Sequence, residues 1–252
     1  MKRQFKFEGT GGEMFSLFLV QGLLTAITFG IYGAWAMAKI FAYFAEKTSL
    51  DSKKFTFEGN GNEMFSLFFI QGLLTCITFG IYGPWAMAKI YAYLAEKTSY
   101  DGKPFSFAGE GGEMFSLFLV QGLLTGITFG IYTPWAMAKI YAYLASKLSH
   151  NGAVFAFEGN GSEMFSLFFV QGLLTCITFG IYGAWAMAKI CAYIGSKTKW
   201  GNDTFAIAME GGKLFSIMLK GLLLTGITLG IYYTWFLAEL QVYQMDCTSV
   251  GA

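Results

Sequence analysis

Every fifty residues the chain runs through one hydrophobic pattern: a short alternation, a glycine-rich polar stretch, a long charge-free apolar run, a turn and a second, mixed run. In residues 51–100 the alternation is Phe55-Thr56-Phe57-Glu58, the period of a short strand. Tyr100-Asp101-Gly102-Lys103, before the next alternation, reads as a turn. From Met64 to Tyr82 no formal charge occurs over 19 positions. At about 1.5 Å per residue this run matches the ~30 Å hydrocarbon thickness, so it predicts a membrane-spanning helix. Pro84 and Pro134 follow the apolar run, and proline favours the first position of a helix, so a second helix is predicted to begin there and to run to about Thr98. It is short for a crossing and carries Lys89 near its middle. Crossing and lying along the interface both remain open for it, but the near-identity of the charged loops favours two entries per unit and a return to the same face.

Compared with itself at a shift of 50, the chain aligns without a gap. Residues 51–100 and 151–200 agree at 36 of 50 positions. The repeats are 1–50, 51–100, 101–150, 151–200 and a divergent 201–252, one continuous domain whose modules bury surface against their neighbours. The fold class expected is a mainly α integral membrane protein: five tandem helical-hairpin repeats, about ten membrane helices, with short β or extended segments between them. The fifth unit reads as a terminal cap or a docking surface.

Composition supports that expectation. The chain is 55% hydrophobic, 19% aromatic and only 13% charged, where a soluble surface calls for roughly twice that charge. A net charge of +1 supplies no basic field and excludes nucleic acid as an expected partner. The basic start lacks an A-x-A cleavage site, so the first helix is expected to act as its own insertion signal. Eleven of the 17 Lys and Arg residues lie at the N-terminus or between repeats, and the Tyr-Trp turns carry none. The positive-inside rule then puts both termini in the cytoplasm.

Candidate residues follow from helix faces. Gly22, Ala26 and Gly30 recur as Gly72, Cys76 and Gly80, then as Gly122, Gly126 and Gly130; Gly172 with Gly180 and Gly226 with Gly230 continue the stripe. Small residues at this spacing let helices approach closely in lipid, so this stripe is expected to pack against Ala38, Ala42 and Ala45 of the second helix. Beside it runs a polar stripe of Gln21, Thr25, Thr28 and Tyr32, with Gln71, Gln121 and Gln171 at the equivalent positions. It reads either as the lining of a polar path or as interhelical hydrogen bonding, threonine also being able to bond its own backbone. Lys39, Lys89, Lys139 and Lys189 are ionisable groups at membrane depth. In the fifth repeat the pattern inverts to Lys213, Lys220 and Glu239. Lys220 and Glu239 lie close enough in depth to pair, with Gln21 and Lys39 as the version with an uncharged partner. Glu13, Glu63, Glu113 and Glu163 complement the dipole of the first helix.

Cys76, Cys176, Cys191 and Cys247 have no metal-ligand spacing and read as small apolar fillers. His150 is the only histidine. No nucleophile, base and orienting group occur together, so no enzyme, no cofactor and no metal are expected.

The series Phe5-Lys6-Phe7-Glu8-Gly9, then G-x-E-M-F, then L-L-T-x-I-T-F-G-I-Y-x-x-W resembles the YjgN-type family of bacterial inner-membrane proteins. The resemblance covers all five units, as far as Thr228-Leu229-Gly230-Ile231-Tyr232. It implies a bacterial inner membrane location and no activity. Two functions are therefore expected to compete. One is a multi-pass scaffold that contacts membrane lipids and packs with itself or in a larger membrane complex. The other is a pore or transporter lined by the Gln/Thr stripe and the lysines, its five units closed into a ring.

Overall fold

The computed structural model describes residues 2–251. Each fifty-residue unit folds as strand, helix, helix, strand. The first has β1 (Arg3–Phe7), α1 (Gly11–Ile27), α2 (Gly33–Lys47) and β2 (Thr48–Leu50); the second has β3 (Lys53–Phe57), α3 (Gly61–Ile77), α4 (Gly83–Lys97) and β4 (Thr98–Tyr100). The third has β5 (Lys103–Phe107), α5 (Gly111–Ile127), α6 (Thr133–Lys147) and β6 (Leu148–His150). The fourth has β7 (Ala153–Phe157), α7 (Gly161–Ile177), α8 (Gly183–Lys197) and β8 (Thr198–Trp200), and the fifth β9 (Asp203–Ile207), α9 (Gly211–Ile227), α10 (Tyr233–Asp246) and β10 (Thr248–Gly251).

The strands form a closed antiparallel barrel. Within a unit the two strands pair, with Phe5 opposite Leu50 and Phe7 opposite Thr48. Between units, two-residue turns join neighbours; Asp51 and Ser52 have φ of 52° and 63°, and Asp101 and Gly102 of 52° and 71°. Positive φ at both central residues makes a hairpin turn whose twist matches the strands, and Asp-Gly is a favoured sequence for it. The last strand returns to the first, Arg3 opposite Val250 and Gln4 opposite Ser249. Helices α10 and α1 also touch. The array therefore closes on itself, and the fifth repeat completes a ring rather than capping an end.

Side chains fill the barrel. Phe5, Phe55, Phe105, Phe155 and Phe205 form a closed five-membered circle with successive ring centroids 6.2–6.4 Å apart. Leu50, Tyr100, His150, Trp200 and Val250, one from each unit, are buried against the phenylalanines. Five different residues at one repeated position fit an interior too small for five copies of a large one.

Helices pack most extensively across unit boundaries. Met64 is fully buried against Ala34 and Ala38 of the preceding unit, and Met164 against Ala138. Trp35 stacks on Phe65 at 5.2 Å and lies over Gly61, where an added Cβ would come within 2.1 Å of its ring. The same seam recurs as Trp85 with Phe115, Trp135 with Phe165, Trp185 with Phe215 and Trp235 with Phe15. The helix-packing stripe expected on the first helix does not make this contact. An added Cβ at Gly22, Gly30, Gly72, Gly80, Gly122, Gly126, Gly130, Gly172, Gly180, Gly226 or Gly230 would have no neighbour within 4 Å. Those glycines face a gap because methionine, tryptophan and alanine hold the helices from the other side.

The expectation of a multi-pass protein with about ten transmembrane hairpin helices is corrected by this fold. Among the described residues no helix is long and apolar enough to cross a membrane, and the strands close a barrel. The charge-free run that predicted a crossing is cut at Ile77. Phe79 adopts φ of 51° and Gly80 of 91°, and Gly80 N–H donates to Thr75 O at 2.8 Å, a left-handed helix stop. The charge-free helical part, Met64 to Ile77, is fourteen residues, about 21 Å long.

Candidate functional site

The barrel gathers the strands of all five units at one end, and the helices carry the unit turns to the other. At each turn tip an apolar residue occupies the left-handed region: Phe29, Phe79, Phe129, Phe179 and Leu229, with φ of 48–51°. Their side chains are 94–98% exposed. Glycine is the low-cost residue for that backbone, so a bulky apolar side chain is held there at a cost to the fold and without packing against it. Below the tips, Leu23, Ile27 and Ile31 and their equivalents are also exposed. The helical end is thus an apolar crown.

Set back from the tips is a polar cluster. Lys39 Nζ donates to Tyr32 Oη at 3.1 Å, Lys89 to Tyr82 at 3.1 Å, Lys139 to Tyr132 at 3.2 Å and Lys189 to Tyr182 at 2.9 Å. None of these exposed lysines enters an ion pair among the described residues. Gln171 Oε1 accepts from Tyr182 Oη at 3.2 Å. Gln21, Gln71 and Gln121 are each only 5% exposed, and their Oε1 atoms have no hydrogen-bond partner. Direct Gln21–Lys39 pairing is not made: Lys39 bonds Tyr32 instead, and only in the fourth unit does the tyrosine link the glutamine to the lysine. The threonines turn inward on their own helices: Thr25 Oγ1 donates to Gln21 O at 2.7 Å and Thr28 Oγ1 to Leu24 O at 2.8 Å.

Between the two helices of a unit lies the gap that the glycines face. In the fourth repeat it is a groove of about 760 Å³ lined by Phe168, Gln171, Gly172, Thr175, Cys176, Phe179, Gly180, Gly183, Ala186, Met187 and Ile190. The fifth repeat fills the glutamine position differently. Gly221 replaces the glutamine, and the Phe236 ring lies where a Cβ on Gly221 would come within 2.0 Å of it. Lys220 Nζ bonds both carboxylate oxygens of Glu239, at 2.6 and 2.5 Å, which raises the lysine pKa. One unit thus lacks the glutamine and the unpaired lysine, through the residues that set it apart in sequence.

Nearer the barrel, Glu13 accepts from Lys47 Nζ at 2.6 Å and from Tyr43 Oη at 3.1 Å, and completes a capping box with Thr10. Hydrogen bonds from Lys47 and from the Thr10 backbone lower its pKa from 4.5 to about 2, while burial and the carboxylate raise that of Tyr43 to about 12. Lys97, Lys147 and Lys197 pair in the same way with Glu63, Glu113 and Glu163. The helix-dipole reading of these glutamates missed the pairing. Its signal was the joint loss of both partners in the fifth repeat, where Lys213 and Cys247 stand in their places.

At the far end of the barrel is a polar cup of about 440 Å³, with Arg3, Lys53, Asp101, Lys103, His150 and Asp203 among its lining. Two pairs of its charges meet, Lys53 with Asp101 at 2.7 Å and Arg3 with Asp203 at 2.8 Å, and Lys103 donates to the neutral Asn151 side chain at 2.7 Å. His150 Nε2 bonds the carbonyls of Tyr100 and Lys103 at 3.0 and 3.2 Å. Among the described residues no group of three His, Cys, Asp or Glu side chains could hold a metal ion, and the four cysteines are free.

No curated protein and no solved structure matches the chain. The model of a family described as bacterial protein of unknown function, DUF898, matches four times in tandem, over residues 2–65, 52–115, 103–156 and 153–207. Each of the first two matches runs a full unit and on into the first helix of the next, as the cross-boundary packing does. The chain belongs to this bacterial family of unknown function, DUF898.

Proposed function

We propose that the chain is a lipid-seated scaffold: a closed ring whose helical crown sinks into a bacterial membrane from one side and whose barrel stays in the aqueous phase. The observation that carries this is the repeated placement of a fully exposed Phe or Leu in a left-handed backbone at all five tips. A surface held against water at five equivalent points calls for an apolar surrounding. Lipid fits better than a protein partner, because the exposed apolar residues recur in every unit and Tyr-Trp pairs recur behind the tips, as in interfacial aromatic belts. The barrel end and its approaches carry most of the cations, which supports a cytoplasmic position for the barrel and both termini. A closed ring has no open edge for adding units, so assembly with further copies or other membrane proteins would use its outer wall.

Flotation with liposomes tests the seating. The purified chain is expected to rise with the vesicles, and a variant with Phe29, Phe79, Phe129 and Phe179 changed to Glu is expected to stay in the aqueous fractions. Equal flotation of the two would defeat the proposal. Passage along the ring axis, the pore reading, meets the barrel interior packed by its phenylalanine circle; ion flux in proteoliposomes that disappears in Lys89→Met and its equivalents would restore it.

A further inference from the structure

The molecule presents one site type four times and withholds it once. In each of the first four units the gap between the two helices is backed by a glycine with open space before it, Gly22, Gly72, Gly122 or Gly172. The same gap holds a glutamine that is nine-tenths or more buried, and in three units its carbonyl oxygen lacks a donor. A buried acceptor without a partner is costly and points to a group that would fill it. Nine residues before the tip glycine stands the glutamine, and nine residues after it stands a lysine, as with Gln171, Gly180 and Lys189. In an antiparallel hairpin these two lie at one height, and Tyr182 bridges them. From that height the groove runs to the tip between apolar walls, Cys176 and Phe179 among them. The fifth unit loses the glutamine, the glycine beside it and the unpaired lysine together: Gly221, Leu222 and Glu239 replace them, and the Phe236 ring lies over Gly221.

We propose that each of the four open grooves holds one chain of an anionic phospholipid. Its phosphate sits at Lys39, Lys89, Lys139 or Lys189, and in the first three units a headgroup hydroxyl donates to the glutamine Oε1. Charge chooses the anion, because the ammonium has a tyrosine hydroxyl and no carboxylate beside it. The unfilled carbonyl chooses a headgroup that carries a donor, and the length of the groove toward the lipid-facing tips chooses a chain over a small solute. This inference rests on the lipid-seated reading.

The fifth unit supplies the test, since its plug is compatible with the fold. Transplanting it means Gln171→Gly with Ala186→Phe in the fourth repeat, and the corresponding pairs in the first three. The probe is phosphatidylglycerol added to the detergent-solubilised full chain, with lipids retained counted by native mass spectrometry and phosphatidylcholine as control. The expected result is up to four retained phosphatidylglycerols, three after plugging one unit and none after plugging four. Phosphatidylcholine, without net charge or hydroxyl donor, is retained at least tenfold less. A count that ignores the plugs, or equal retention of the two lipids, means adventitious surface lipid only and overturns the inference. Flotation of the four-plug variant separates the two readings: flotation with an unchanged count sinks the groove alone, whereas no flotation of the parent chain sinks the seating and leaves the count to judge the groove.

Discussion

Changing Phe79 to glycine should leave the fold intact while weakening attachment to lipid, and the two effects can be sized separately. Phe79 holds φ of 51° and is 97% exposed, so its removal costs no packing. An L-residue in the left-handed region costs about 1–2 kcal/mol, and glycine's greater freedom in the unfolded chain takes back about 0.5–1 kcal/mol. The net is between zero and about 1.5 kcal/mol of stabilisation. For a chain of this size that is a rise in Tm of at most about 6 °C. Withdrawing a phenylalanine from an apolar surrounding costs about 1.5–3 kcal/mol, a fall of about 10- to 150-fold in vesicle partition coefficient. Well-separated tips should add, so all four phenylalanine tips together remove about 6–12 kcal/mol. Thermal melting by circular dichroism and partition by vesicle sedimentation measure the two quantities on the same sample. A Tm that drops by several degrees would show that the tip packs against the protein. An unchanged partition coefficient would show that it meets no lipid.

Three further outcomes follow from the geometry. Gly111→Ala should destabilise by about 1–3 kcal/mol, because its Cβ would fall 2.2 Å from the Trp85 ring and 2.7 Å from the Trp85 Cα. The neighbouring Gly112→Ala meets nothing within 4 Å and should stabilise by about 0.5–1 kcal/mol, both read from denaturant midpoints. The Glu13 pKa is depressed from 4.5 to about 2 in the fold, so its contribution is complete above pH 4.5 and is lost as pH falls toward 2. Melting curves across that window should decline less for Glu13→Gln than for the parent chain, and identical declines would remove the Lys47 pairing from the account. Glu239→Lys should be partly rescued by adding Lys220→Glu. With the two side chains 47% and 36% exposed, the coupling in a double-mutant cycle should stay below about 1 kcal/mol, short of the loss of folding that a deeply buried pair would give.

Much of the local structure was legible. The Phe-x-Phe alternation gave the strands, Asp101-Gly102 the turn, Pro84 the start of the second helix, and the inverted charges of the fifth repeat placed Lys220 beside Glu239. The helix length was misread because its stop carries Phe79 rather than glycine in the first left-handed position. A hydrophobicity count runs straight through such a residue. The packing partner was misread for a related reason: small residues at i and i+4 fit a close helix contact and an open groove equally well, and the pattern alone holds no information on which lies opposite. Gly61 beneath Trp35 and Met64 against Ala38 carry the seam, and these join residues of different units. Closure of the ring depends on Arg3 meeting Val250 across nearly the whole chain, a pairing that no local pattern encodes. The buried, unpartnered carbonyls of the glutamines could be seen only once burial was known.

The most direct test of the lipid-seated ring is spin-label accessibility in vesicles, with the four native cysteines replaced and single labels placed at 79, 179, 52 and 102. The tip labels at 79 and 179 should collide with dissolved oxygen far more than with a water-soluble nickel chelate. Labels at 52 and 102, on the barrel turns, should show the reverse and agree with each other. Tip labels as open to nickel as the barrel labels would contradict the account.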